Sequence, residues 1–131
     1  MPHDAILTPA APAPIGPYSQ AIRVAPGAEL LFLSGQIPLE PSSGALVSGG
    51  IEAETAQVLD NLDGVLRSAG HSWSDVCKVT IFLRDMSDFP RVNAVYAARV
   101  GSPAPARATV QVAGLPRGVG VEIEVISAKH P

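Results

Sequence analysis

The chain is poor in the residue types that announce specialised chemistry. It holds one cysteine, Cys77, so no disulfide can form within it, which fits a reducing compartment. Its three histidines, His3, His71 and His130, are scattered with no metal-ligand spacing, and no Cys-His cluster exists for zinc, so no metal is expected. Only 16% of residues are charged; nine basic and twelve acidic side chains leave a net charge of −3, and no Lys/Arg cluster could neutralise a row of phosphates. Nucleic acid is therefore not an expected partner. No segment reaches the ~18 continuous apolar residues of a membrane span, and the start, "MPHDAILTPAAPAPIGPY", has no basic leader region, so the expected placement is soluble and cytoplasmic.

Apolar residues, by contrast, are plentiful. They make up 47% of 131 residues, and the mean hydropathy is positive. A single domain of this length, residues 1–131, buries roughly two-thirds of its unfolded surface, which leaves more apolar area than a small monomer hides comfortably. A homo-oligomer is expected.

The Pro/Ala-rich stretch 1–14 reads as an extended arm, because proline fixes φ and lacks an N–H. "YSQAIRV" and "ELLFLSGQIPLE" read as two strands, with the Pro-Gly of "APGAE" turning them into an antiparallel hairpin. Apolar positions at Ile51, Thr55, Val58, Leu62, Val65, Leu66 and Ala69 recur at helical spacing, and Gly70 supplies a stop. "VCKVTIFLRD" alternates as a strand with Cys77, Val79, Ile81 and Leu83 on one face. Ser87 reads as the N-cap of a second helix, with Pro90 in its first turn and Phe89, Val92, Tyr96 and Val100 facing inward. Strands at 107–113 and 121–127 follow, with a hairpin around "GVG". The order β-β-α-β-α-β-β predicts an α+β fold: a mixed sheet with both helices on one face and the other face covered by subunit association.

Three polar residues stand out. Arg107 lies on the polar side of an alternating strand and has two readings: an edge charge or ion pair with Glu122 or Glu124, or a clamp for a small carboxylate between flanking alanines. Glu122 reads as a solvated strand residue or a working carboxylate, and Tyr18 as a packed turn aromatic or a site group.

The segments "APAPIGPYSQA", "LFLSGQIPLEPSSG", "QVLDNLDGVLRSAG", "DVCKVTIFLRDMSDFPRVNAVYA" and "PARATVQVAGLPRGVGVEIEVIS" together resemble the Rid family of reactive imine/enamine deaminases, in order, from Ala11 to Ala128. The resemblance implies a chorismate-mutase-like fold, a homotrimer with a central barrel-like core, and pockets between subunits. It implies hydrolysis of short 2-imino acids and their enamine tautomers to 2-keto acids and ammonia, without a cofactor. By the same resemblance Arg107 binds the substrate carboxylate, Glu122 orients water, Tyr18 belongs to the pocket, and Gly35 and Asn93 line it. Thr109 stands where many members carry cysteine, which implies an altered substrate preference. A non-catalytic carboxylate-binding trimer and a specialised enamine deaminase, such as one for 2-aminomuconate, are the alternatives.

Overall fold

The computed structural model of the protein describes residues 3–131. Strands are β1 (His3–Ile6), β2 (Ala21–Val24), β3 (Glu29–Gln36), β4 (Val76–Leu83), β5 (Ala106–Gln111) and β6 (Val121–Lys129); helices are α1 (Gly50–Ser68) and α2 (Phe89–Ala97). The main sheet has the order β3-β6-β4-β5, with β4 and β5 parallel and the other pairs antiparallel. β1 and β2 form a separate antiparallel ribbon. Ser19 fastens that ribbon to the β5 edge: it bridges Ala106, and its hydroxyl donates to the Ala104 carbonyl at 2.6 Å.

Both helices lie on one sheet face, as the α+β reading requires. Val58, Leu59, Leu62 and Leu66 of α1 and Val92 and Tyr96 of α2 are fully buried against Val79, Ile81, Leu83, Val121 and Ile123. Each such aliphatic side chain contributes about 1.5–3 kcal/mol on burial. α1 ends where Gly70, at φ 78°, adopts the left-handed backbone that glycine takes without strain. The opposite face exposes Leu30, Phe32 and Val110, an apolar surface of the kind that marks an interface.

The pairing departs from the two expected hairpins. β2 pairs with β1, which gives the N-terminal arm a strand and a partner; residues 1 and 2 of that arm lie outside the described residues. β3 pairs with β6 instead of β2, and β4 separates β5 from β6. The reason is burial. β4 and β6 carry the most completely buried apolar faces, so both take central places with a neighbour on each side, whereas β2 and β5, richer in exposed positions, stay at edges. Val65, placed on the inward stripe by period alone, is 40% exposed at the margin of α1. A bulge between Val76 and Lys78 seats Val76 in the core and leaves Cys77 half-buried, its thiol pushed up by burial. Entry to α2 also differs: a 3-10 turn, Met86–Asp88, precedes the helix and is capped by Asp85, which accepts from the Ser87 N–H at 2.9 Å, while Asp88, not Ser87, stands at the N-cap position of α2. Hydrogen bonds from the Ser87 amide and hydroxyl hold Asp85 below the usual carboxylate range.

The histidines serve as tethers. His3 Nε2 donates to the Asp75 carbonyl at 2.8 Å and His130 Nε2 to the Ala25 carbonyl at 3.0 Å. His71, buried after α1, accepts from the Ser127 hydroxyl at 2.7 Å through Nδ1 and donates to Glu29 at 2.8 Å through Nε2, joining β6 to β3. Ser127 is fully buried, so this serine-histidine-glutamate series has no substrate access. His71→Ala leaves a buried hydroxyl unpaired beside a cavity and is expected to cost about 2–4 kcal/mol, read as a lower urea midpoint.

Candidate functional site

β5 presents its faces in an unexpected sense. Register with β4 aligns Arg107 with Val79 and Thr109 with Ile81, both core residues, so the polar side of β5 faces the helices; Ala106, Ala108 and Val110 face the open side. Arg107 thereby points at α2. That helix presents Phe89, Asn93 and Tyr96 at intervals of four and three, one face of a helix. The Arg107 Nη1 donates to Asn93 Oδ1 at 2.6 Å, and its Cζ lies 5.1 Å from the Tyr96 ring centroid, 5.7 Å from that of Phe89 and 5.8 Å from that of Tyr18.

Tyr18 arrives from the other side, carried by the tight turn in which its N–H donates to the Gly16 carbonyl at 2.8 Å. Gly16 borders the guanidinium: a Cβ on it would lie in ordinary contact, 3.7 Å from Arg107 Nη2. Burial lowers the Arg107 pKa from the usual arginine value, with the two tyrosines acting in the opposite sense, but guanidinium stays charged at neutral pH. Burial pushes the Tyr96 phenol up to about 12, against the pull of Arg107, so it stays protonated. Among the described residues no carboxylate pairs with Arg107. Within one chain the ion-pair reading is thereby set aside. Thr109, two residues along the same face, has a buried hydroxyl oxygen without a partner among the described residues.

Glu122 is elsewhere. It aligns with Phe82, whose side chain lies on the open sheet face, so within one chain Arg107 and Glu122 occupy opposite faces. Beside Glu122 lies Gly35, at the irregular end of β3; any Cβ there would collide with the Glu122 carboxylate. A groove of about 730 Å³ opens past Gly35 between α1 and the segment after β3, with Leu39, Pro41 and Val65 among its walls. The sequence-derived residues thus form two groups: Tyr18, Asn93, Arg107 and Thr109 on the helix side of the β5 edge, and Gly35 with Glu122 on the open face. Phe89 and Tyr96 escaped the sequence reading as site residues because their stripe reads equally as core. The readable sign was Asn93, a polar residue set between them on that stripe.

Gly35→Ala is expected to push the Glu122 carboxylate aside. On the reading of Glu122 as a working carboxylate, activity should fall by about tenfold or more with little change in melting temperature, since displacing such a group costs rate steeply while a flexible side chain yields easily.

Among the described residues no group of three or more His, Cys, Asp and Glu is arranged to hold a metal ion, and no helix is long and apolar enough to cross a membrane.

The sequence profile of the endoribonuclease L-PSP family matches residues 8–129. The chain belongs to this family. A mouse 2-iminobutanoate/2-iminopropanoate deaminase is 48% identical over 126 residues, covering 96% of this chain and 91% of that protein. A RutC family protein of Pyrococcus horikoshii is 48% identical over 127 residues, covering 97% and 98%. The crystal structure of RidA from the Antarctic bacterium Psychrobacter superposes with a TM-score of 0.73 at 42% identity, covering 95% of this chain and 98% of that one. The resemblance to Rid proteins is borne out, and with it the α+β fold of this L-PSP family member.

Proposed function

We propose that the protein hydrolyses short 2-imino acids and their enamine tautomers to 2-keto acids and ammonia, without a cofactor, in clefts between the subunits of a homotrimer. The observation that carries this reading is Arg107: a half-buried guanidinium fixed by Asn93, with N–H groups left over and no carboxylate of its own. Guanidinium grips a carboxylate bidentately. The deaminase names of mammalian relatives at 45–48% identity supply the chemistry.

In this mechanism Arg107 holds the substrate carboxylate and so fixes the neighbouring C=N carbon. Glu122 takes a proton from water as the water oxygen bonds to that carbon of the protonated imine and the C=N π pair moves onto nitrogen, giving a neutral carbinolamine. The proton passes to nitrogen, the C–N bond breaks with its electrons leaving on ammonia, and the hydroxyl loses its proton to become the ketone. Tyr18 offers a hydrogen bond to the bound substrate, and the Thr109 hydroxyl tunes which side chain is accepted.

One chain cannot perform this, because its clamp and its base lie on opposite sheet faces. A ring closed by a heterologous interface joins two different patches, so Glu122 of one subunit meets Arg107 of the next. The exposed Leu30, Phe32 and Val110 supply an apolar surface for that contact. The endoribonuclease in the family's name is not adopted: a net charge of −3 and a single ring-enclosed arginine form no track for a phosphate backbone.

The test is 2-keto acid release from imines generated in place by an amino-acid oxidase, with semicarbazide competing for the imine. Rates above spontaneous hydrolysis are expected. Binding of 2-oxobutanoate with no turnover of any short 2-imino acid would replace the deaminase with a carboxylate-binding trimer.

A further inference from the structure

We infer that α2 is a cradle for the Arg107 guanidinium, in which Tyr96 and Phe89 act as positioning residues that hold the clamp in its binding geometry before any ligand arrives. The inference rests on the reading of Arg107 as a carboxylate clamp, and it assigns work to two side chains that otherwise count as core.

Three observations carry it. Phe89, Asn93 and Tyr96 occupy one helical stripe, and all three meet the same guanidinium: Asn93 by a 2.6 Å hydrogen bond, the two rings at 5.7 and 5.1 Å from Cζ. Rings within about 6 Å of a guanidinium attract it through their quadrupoles. Tyr18 adds a third ring at 5.8 Å from outside the helix, so the cation is enclosed by aromatic surface and a single amide oxygen. Finally, the Tyr96 hydroxyl is buried and has no hydrogen-bond partner among the described residues. A tyrosine kept for its hydroxyl would bond it; here the ring is the part in use.

The physical effect is twofold. A free arginine side chain loses rotamer entropy when a ligand fixes it, and a cradled one has already lost it. Aromatic walls also displace water from the guanidinium, which strengthens its attraction for an arriving carboxylate. Both effects appear in ligand affinity and KM, while the C=N chemistry at Glu122 is untouched.

The experiment compares wild type with Tyr96→Leu, Phe89→Leu, Tyr96→Phe and Arg107→Ala. Three quantities are read: the Kd for 2-oxobutanoate by calorimetry, kcat and KM separately, and the Arg107 Nε–Hε NMR resonance, assigned by its loss in Arg107→Ala. Tyr96→Leu and Phe89→Leu are expected to raise Kd and KM by about tenfold, as for the loss of one desolvated cation–π contact, with kcat within about twofold. Their Hε resonance should move toward the free-arginine position. Tyr96→Phe, which keeps the ring, restores wild-type KM. A pure packing role gives a lower melting temperature and a smaller active fraction with KM unchanged, and that result overturns the cradle. Phe89 is only half-buried, so Phe89→Leu keeps the test open if Tyr96→Leu fails to fold. Should Arg107→Ala leave Kd unaltered, the clamp reading fails. The resonance judges the cradle separately: an Hε at the free-arginine position in wild type overturns it whatever binds.

Discussion

Arg107→Ala is expected to lower kcat/KM for short 2-imino acids by roughly 10²–10³-fold, the usual scale for removing a preorganised charged contact from a reacting group. Melting temperature should change little, because loss of the Asn93 hydrogen bond and the three ring contacts is offset by release of a half-buried, desolvated charge that has no ion pair among the described residues. Arg107→Lys should recover little. A lysine is a point charge without the planar fork and cannot hold the Asn93 oxygen and both carboxylate oxygens in one geometry. The measurement is keto acid release with semicarbazide in competition, beside a thermal melt. A variant within about threefold of wild type would remove Arg107 from the site.

A second large effect is expected from mixing two dead proteins. In the proposed homotrimer, Arg107→Ala and Glu122→Gln are each expected to be inactive alone. Unfolded together in equal amounts and refolded, they assemble at random. A cleft is complete when its arginine comes from the Glu122→Gln chain and its glutamate from the Arg107→Ala chain. Each condition has a chance of one half, so about a quarter of wild-type activity should return. If one chain supplied both residues, every cleft would keep one defect and mixing would restore nothing. The result therefore reads directly whether the separation of Arg107 and Glu122 onto opposite faces is bridged by a neighbour.

Helices and candidate site residues stood out in the sequence for different reasons. α1 announces itself because Ile51, Val58, Leu62 and Leu66 repeat at the helical period, a purely local property. Arg107 and Glu122 stand out because a charge in an apolar strand demands an explanation, and family resemblance supplied one. Strand pairing was not legible. The Pro-Gly turn before Glu29 is a sound local hairpin sign, yet β3 pairs with β6, about a hundred residues along, because a buried strand needs two neighbours and local turn chemistry cannot report that. Nor could alternation tell which side of β5 faces inward. Reading apolar as inward fails there, since Ala108 and Val110 look outward while Arg107 and Thr109 turn toward α2.

The central place of β6 also sets a schedule for synthesis. It is made after every other strand, yet β3 and β4 reach each other only through it. Until it leaves the ribosome, the nascent chain has two unpaired sheet edges and an open apolar helix face. Folding is then concentrated after the last strand emerges, and a chain stalled before Val121 is a natural client for a chaperone.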